Sequence, residues 1–275
     1  MIPACSPSCY DNKILQMIEL APQIYRLRFE NQIIANFSKP GQFINIKVSD
    51  NYIPFWRRPL SIHSVNKDYG GVDILFRVVG KGTELLSHKK TGESLNFIGP
   101  LGQSFDYAEK KTNKALVIAG GLGIAPLLFL CQKLIENQIV PHLFYGVKTE
   151  TEFCCLEDFE ALNIKVYFST EDGSNGYQGL VTDLVRENLT QLMTGQQPVI
   201  FACGPNPMLH QVSLIAREYN LSCQVSLETL MACGVGACLG CGVKVNQPEI
   251  AYRYVCKEGP VFNVNEIDLS DRFIS

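Results

Sequence analysis

The chain carries little charge and no excess of either sign. Only 19% of its 275 residues are Asp, Glu, Lys or Arg, and the formal net charge is −3, which argues against a nucleic-acid partner. No apolar run reaches the roughly 20 residues needed to cross a bilayer, so no membrane partner is expected. The opening MIPACSPSCY has neither the basic nor the apolar region of an export signal, and the expected compartment is the cytoplasm. Histidine is scarce. His63, His88, His142 and His210 are scattered, and none belongs to a recognisable triad, so a general acid–base set for substrate chemistry is missing. Disorder is excluded as well: a hydrophobic content of 46% supports a substantial core. The length suits two domains, or two and a small appendage.

Cysteine, by contrast, is abundant, with eleven in the chain. In a chain this long without an export signal, metal binding in a reducing compartment fits better than a disulfide scaffold. Cys233, Cys238, Cys241 and Cys256 stand in the stretch CGVGACLGCGVKVNQPEIAYRYVC. Their C-x4-C-x2-C spacing with a fourth cysteine further on is the plant-type framework of a [2Fe–2S] cluster. Gly234, Gly236, Gly240 and Gly242 supply the permissive backbone that wrapping an inorganic core needs, and small residues leave amide N–H groups free to point at sulfur. A structural zinc site usually shows paired knuckles, and one knuckle is present here. Four free core cysteines in one glycine-rich loop fit poorly. Cys131, Cys223 and the Cys154–Cys155 pair sit in apolar surroundings and read as core or neutral positions. Cys5 and Cys9 form a C-x3-C pair in a Pro/Ser-rich leader; two ligands without partners give weak grounds for a second metal site.

The first hundred residues alternate. Segments 24–30, 43–49, 60–65 and 72–80 read as strands separated by turn signals at Lys39-Pro40-Gly41, Asp68-Tyr69-Gly70-Gly71 and Gly80-Lys81-Gly82, which suggests an antiparallel barrel. A short helix is expected after Gly82, with Thr83 as its N-cap. Two places look chemical. Arg57-Arg58-Pro59-Leu60-Ser61 offers a bidentate phosphate partner beside a strand, although either arginine alone could belong to a solvated face. Gly80-Lys81-Gly82-Thr83 offers amide donors to an anion, or is an ordinary turn and cap.

The pattern changes near residue 113. KALVIAG (114–120) is a continuous apolar run, as in a parallel strand buried on both faces. It leads into Gly120-Gly121-Leu122-Gly123-Ile124-Ala125-Pro126 and a helix-like LLFLCQKLIE. Strand, glycine loop and helix suit a dinucleotide's phosphates. The match to the usual fingerprint is imperfect, because Pro126 stands where a third glycine is expected and no acidic residue closes the next strand, 141–147. Strands within 159–170 and at 197–204, a helix after Gly179–Leu184, and a helix from Met208 to about Tyr219 continue an α/β layering around a parallel sheet. Ligands in such sheets bind beyond the carboxyl ends of the strands, where both the 120–126 loop and Cys203-Gly204-Pro205-Asn206-Pro207-Met208 fall. Cys203 either borders a ligand there or is a buried strand-end thiol. Glu171 and Asp172 lie on a strand-end loop where a ribose could dock. Carboxylates accept a 2′-hydroxyl and repel a 2′-phosphate, which favours NAD over NADP; exposed turn residues are the competing explanation.

Arg58-Pro59-Leu60-Ser61, Gly82-Thr83, the loop Gly120–Pro126 and Cys203-Gly204-Pro205 resemble the ferredoxin–NADP reductase superfamily. With the cysteine segment added, the chain resembles the electron-transfer subunits of class 1B dihydroorotate dehydrogenases from end to end, apart from the first ten or so residues. Leu60 stands where the wider superfamily usually has an aromatic residue. The resemblance implies a β + α/β chain: an antiparallel FAD-binding barrel (10–103), a parallel-sheet nicotinamide-binding domain (104–225) and a small C-terminal [2Fe–2S] subdomain (226–275). It implies that Arg58, Pro59, Leu60, Ser61, Leu75, Phe76, Arg77, Gly82 and Thr83 line FAD. Ser61 is then placed near the flavin N5, with Arg58 and Thr83 on the pyrophosphate. Gly120, Gly121, Gly123, Ile124, Ala125, Pro126, Cys203, Gly204, Pro205 and Met208 face NAD, and Cys233, Cys238, Cys241 and Cys256 hold the cluster. The implied partner is an FMN-containing catalytic subunit in a heterotetramer that covers the cluster side, where Leu239 is expected to be exposed. Dihydroorotate is oxidised on that subunit and this chain relays the electrons to NAD+, in pyrimidine biosynthesis. The alternative is a subunit of an NAD(P)H-dependent ferredoxin or other iron–sulfur reductase, which shares the three-part layout.

Overall fold

Alternation in the first third of the chain builds a closed antiparallel barrel. The computed structural model describes residues 7–51, 53–107, 112–246 and 251–270. Strands β1 (Ser8–Ala21), β2 (Ile24–Glu30), β3 (Phe43–Lys47), β4 (Arg58–Asn66), β5 (Gly71–Arg77) and β6 (Ser94–Leu101) close in the order β1-β2-β5-β4-β3-β6. Apolar side chains at inward positions, among them Ile14, Leu27, Phe29, Ile46, Ile62 and Phe97, fill the interior. Helix α1 (Gln32–Phe37) follows β2, and its N-cap Asn31 accepts the Ile34 N–H at 2.9 Å, satisfying one of the donors a helix start leaves open.

The short helix near Gly82 is present, but it begins three residues earlier than expected. Helix α2 runs Lys81–Ser87 with Gly80 at its N-cap. Thr83 therefore lies inside the first turn. Its hydroxyl accepts the Val79 N–H at 2.9 Å and donates to Gly80 O at 3.1 Å, fastening the turn from within. Cys9 lies on β1 opposite Ile98, not in an irregular leader. Cys5 falls outside the described residues.

Continuous apolar runs form the second layer, as expected of strands covered on both faces. β7 (Lys114–Gly120) is followed by a 3₁₀ turn (Gly121–Ile124) and α3 (Leu127–Glu136); β8 (Val140–Val147) by a 3₁₀ turn (Glu150–Glu152) and α4 (Leu156–Glu160). Then come β9 (Lys165–Thr170), β10 (Tyr177–Gln178), α5 (Val181–Leu192), β11 (Val199–Cys203), α6 (Asn206–Glu218) and β12 (Cys223–Ser226). Helix α6 starts at Asn206, before the expected Met208, because Pro207 suits the first turn of a helix. The sheet order is β10-β9-β8-β7-β11-β12-β15, parallel except for β15 (Val261–Asn263), which pairs antiparallel with β12. Strand order reverses between β7 and β11, the switch point where such sheets open a crevice.

The C-terminal segment is wedged between these layers. The hairpin β13 (Gly242–Lys244) and β14 (Tyr252–Tyr254) stands beside the sheet, and β15 completes the sheet's edge. Gln103 N donates to Gly259 O at 2.6 Å, and Gln103 Nε2 donates to Lys257 O at 3.0 Å. These bonds tie the end of the barrel to the cysteine segment. No described helix is long and apolar enough to cross a membrane.

Candidate redox site

The four clustered cysteines are brought together as two pairs. Cys241 and Cys256 have Sγ atoms 3.3 Å apart and are buried. Cys238 donates its backbone N–H to Cys233 Sγ at 3.4 Å, and its thiol is near enough to help lower the Cys233 pKa. No three of these four sulfurs come within 4.8 Å of one another. A single tetrahedral zinc with bonds of ~2.3 Å would bring all four to within about 3.8 Å, so two pairs match two irons better than one ion. Backbone amides surround the pairs. Val235, Ala237 and Cys238 N–H groups point at Cys233 Sγ at 3.3–3.4 Å, and Gly236 N–H at Cys256 Sγ at 3.1 Å. Gly234 and Gly236 have φ of 71° and 81°, a left-handed backbone that turns these amides inward. Gly240 and Gly242 do not share it.

These amides act on the thiols electrostatically. Burial by itself raises the Cys233 pKa, but the N–H donors of Val235 and Cys238 outweigh it and bring the value down to about 7. Cys256, hydrogen-bonded to Cys241, brings Cys241 down to about 6 and is itself pushed up, because two thiols in contact share one proton. Deprotonated sulfur is the form that ligates iron. Cys238 and Leu239 face outward, Leu239 being 54% exposed.

The barrel supports this loop from below. Asn45 of β3 donates through Nδ2 to Cys233 O at 3.1 Å, and a Cβ at Gly234 would lie 2.3 Å from the same nitrogen. Arg57 reaches Asn45 O and Asn96, the latter through Oδ1 at 2.7 Å, so it is committed to the barrel under the cluster loop. Neither Asn45 nor this use of Arg57 has a local sequence signal.

Arg58 and Gly82 meet. A Cβ at Gly82 would lie 2.4 Å from Arg58 Nε, so the guanidinium lies across the first turn of α2 only because residue 82 has no side chain. Arg58, Pro59, Leu60 and Ser61 are half-buried along β4, whereas Leu75 and Phe76 are buried in the core. Those two can meet a ligand only through their backbone. Arg77 pairs with Glu152 at 2.9 Å across the two layers and borders the crevice at the sheet's switch point.

That crevice is a cleft of about 1180 Å³. Of the expected nicotinamide residues, Gly120, Gly121, Gly123, Gly204, Pro205, Met208 and Glu171 line it. The two glycine loops touch: a Cβ at Gly204 would be 3.0 Å from Gly120 N, and one at Gly120 would be 2.6 Å from Met208 Sδ. Ile124, Ala125 and Pro126 shape the loop from behind, with Ile124 and Ala125 in the core. Cys203 is buried at its strand end, and burial pushes its thiol up. Asp172 does not reach the cleft; its Oδ1 accepts the Ser174 N–H at 3.0 Å and hydroxyl at 2.6 Å. Glu228 was not apparent from sequence. It borders the cleft from the start of the cysteine segment, open to solvent through the cleft's mouth, while surrounding protein raises its carboxyl pKa. Gly146 and Ser169 also border the cleft, at the carboxyl ends of β8 and β9, the place the sheet rule indicates.

Comparison with known proteins covers all three parts. An oxidoreductase FAD-binding domain model matches residues 14–107, an oxidoreductase NAD-binding domain model residues 117–213, and the iron–sulfur cluster binding domain of dihydroorotate dehydrogenase B residues 228–268. The chain is 38% identical to the dihydroorotate dehydrogenase B (NAD+) electron transfer subunit of Desulforamulus reducens, over 92% of this chain and 95% of that one. It is 35% identical to the subunit of the same name from Bacillus pumilus, over 92% and 95%. In structure it is similar to a chain of an NADH-dependent reduced ferredoxin–NADP oxidoreductase studied for flavin-based electron bifurcation: TM-score 0.83 and 27% identity, over 94% of this chain and 90% of that one. The ferredoxin reductase of carbazole 1,9a-dioxygenase shares the fold, with TM-score 0.66 and 23% identity, over 80% of this chain and 68% of that one.

Proposed function

The chain belongs to the family of dihydroorotate dehydrogenase B electron transfer subunits, and on that premise we propose that it carries electrons from a catalytic dihydroorotate dehydrogenase subunit to NAD+ in pyrimidine biosynthesis. The observation that carries this reading is the pairing of the four sulfurs under amide donors at one end of the chain's barrel, with a dinucleotide-sized cleft between barrel and sheet. FAD, when bound, exchanges electrons in pairs with nicotinamide and one at a time with an iron–sulfur centre, which is why both must meet it.

The chain's own residues position and insulate. Arg58, laid over Gly82, supplies a fixed planar donor for a pyrophosphate, and the N–H groups of the first turn of α2 lack intrahelical acceptors. Thr83 fastens that turn with its hydroxyl and offers phosphate its backbone N–H. Ser61 lies on the same strand as Arg58 and is assigned to the flavin's N5 edge. The glycines of 120–123 and 204 let nicotinamide dinucleotide approach the backbone closely, and Glu171 receives the adenosine ribose. The outward face at Cys238 and Leu239 is where the catalytic subunit seats. We assign FMN to that partner and a heterotetramer to the assembly, and place the work in the cytoplasm, where thiols stay reduced.

The test is reconstitution. Combined with its catalytic subunit under anaerobic conditions, the chain should show flavin and iron–sulfur absorption and support NAD+-dependent orotate formation that vanishes when the chain is omitted. If the pair oxidises dihydroorotate with an artificial acceptor but never with NAD+, the chain serves another acceptor, as the ferredoxin-linked structural relative suggests.

A further inference from the structure

Away from the cleft and the cysteine loop, His63, Cys155 and Asp158 converge. One nitrogen of His63, Cys155 Sγ and a carboxylate oxygen of Asp158 lie within 4.8 Å of one another. The three come from different layers: His63 from barrel strand β4, Cys155 and Asp158 from the start of α4. His63 is fully buried. Its Nδ1 is 2.7 Å from Ala125 O, and since a carbonyl only accepts, Nδ1 carries the proton. Nε2 is then left with a bare lone pair, and it is buried without any hydrogen-bond partner. An orphaned buried acceptor of this kind is destabilising, because it has given up water without gaining a partner, and needs an explanation.

We propose that His63 Nε2, Cys155 Sγ and Asp158 form a binding site for a zinc ion that clamps the barrel to the nucleotide-binding layer. Imidazole, thiolate and carboxylate together suit zinc better than magnesium or calcium, which take oxygen ligands. Three protein ligands leave the fourth tetrahedral position to water. The supporting bonds a zinc ligand set requires are already in place. Ala125 O fixes the His63 tautomer, as second partners of ligating histidines do. Arg26 Nη1 holds Asp158 Oδ2 at 2.8 Å, leaving Oδ1 for the metal. Burial lowers the His63 pKa, so the ring is neutral and its lone pair available. Cys155 and Asp158 are only half-buried, which gives the ion a path in. The neighbouring Cys154 thiol and burial hold the Cys155 proton above the usual thiol range, so zinc must displace it: on binding, Cys155 gives up its contact with Cys154 and releases one proton to solvent.

The local backbone is arranged for this geometry. Between Ile62 and Ser64 the pairing of β4 with β5 slips by one residue, and the extra residue is His63. Such bulges re-aim a side chain. Ala125, which holds Nδ1, belongs to the loop behind the nicotinamide cleft. A metal on Nε2 therefore connects that loop, the strand that carries Ser61, and α4.

The experiment uses the anaerobically purified holoprotein, cleared of loose metal and titrated with Zn2+ alone. Metal content is read by mass spectrometry and the zinc environment by X-ray absorption. The expected result is one zinc per chain beside the iron, with a single sulfur at about 2.3 Å and the remaining ligands at about 2.0–2.2 Å. Cys155→Ser and Asp158→Asn should each weaken zinc binding about tenfold or more while iron and flavin content stay unchanged. These half-buried positions are chosen because His63→Ala opens a core cavity. The proposal fails if the wild-type chain retains no zinc, if both variants bind it as tightly as wild type, or if the zinc shows several sulfur neighbours, which would place it on the clustered cysteines.

Discussion

Asn45 and Cys233 are 188 positions apart and joined by a hydrogen bond, the Asn45 amide donating to the Cys233 carbonyl at 3.1 Å. Through this bond the barrel sets where the cysteine loop begins. Gly234 is the next residue, with φ 71° and no room for a Cβ over Asn45 Nδ2. Gly234→Ala should therefore combine left-handed strain of about 1–3 kcal/mol with a displaced Asn45. The expected outcome is a several-fold drop in iron per chain with FAD content retained, read by iron assay and visible spectrum. Asn45→Ala, which removes one hydrogen bond of about 1 kcal/mol, should have the milder effect. Wild-type iron content in Gly234→Ala would refute the coupling.

Arg58 and Gly82 make a second close approach. Gly82→Ala pushes a methyl into the guanidinium without touching its charge. Charge-assisted hydrogen bonds contribute about 1.5–3 kcal/mol, equivalent to roughly ten- to hundredfold in affinity. Both Gly82→Ala and Arg58→Ala should lose FAD by that order on dialysis, measured by fluorescence of released flavin. Arg57→Ala should retain flavin better, because Arg57 is spent on Asn45 and Asn96. Equal flavin loss in all three variants would show that the Arg58–Gly82 contact has no special role.

The lowered thiols make a pH prediction. Cys233 is brought to about 7 and Cys241 to about 6, from an ordinary 9.0. A depressed pKa means that the thiolate persists as pH falls from 9 and is lost only on passing the folded value. In cluster-free protein, alkylation of Cys233 by iodoacetamide should rise with a midpoint near pH 7, and reconstitution with iron and sulfide should keep its rate from pH 8 down to about 7 before it declines. Peptide mass mapping of alkylation against pH reads this directly. A Cys233 midpoint near 9 would mean that the amide donors do not act as drawn.

Legibility followed the range of the interactions. The grouping of the cysteines could be read because Cys233, Cys238 and Cys241 lie within nine residues, and β7 and β11 because strands covered on both faces are plain apolar runs. β1 was not legible: its pairing with β2 slips between Ile14 and Gln16 and again between Glu19 and Ala21, which breaks the period of two. β6 carries Gly99-Pro100, which reads as a turn rather than a strand. β15 is three residues long and exists only because β12 offers it an edge. The Thr83 signal was real but misplaced, since Gly80 starts the helix and Thr83 bonds back to it. Asn45 under Cys233, Arg77 on Glu152 and the bulge that turns His63 are products of closure between distant segments. Nothing local to those residues announces them.

Glu171 and Asp172 are adjacent in sequence but not equivalent in space, which allows the choice between NAD and NADP to be tested residue by residue. Glu171 borders the cleft. Asp172 turns away, and the Ser174 hydroxyl and N–H hold its carboxyl below the usual range. Of the two, Glu171 is the one placed to accept the 2′-hydroxyl of a ribose docked in the cleft and to repel a 2′-phosphate. Wild type should prefer NADH over NADPH in steady-state kcat/KM. Glu171→Gln removes the charge and should shrink that preference about tenfold, corresponding to ~1.4 kcal/mol of differential binding. Asp172→Asn disturbs a turn outside the cleft and should leave the ratio within about twofold, a change of under 0.5 kcal/mol. If Asp172→Asn shifts the ratio as far as Glu171→Gln does, discrimination comes from the acidity of the whole turn. If neither variant moves it, the ribose docks elsewhere in the cleft.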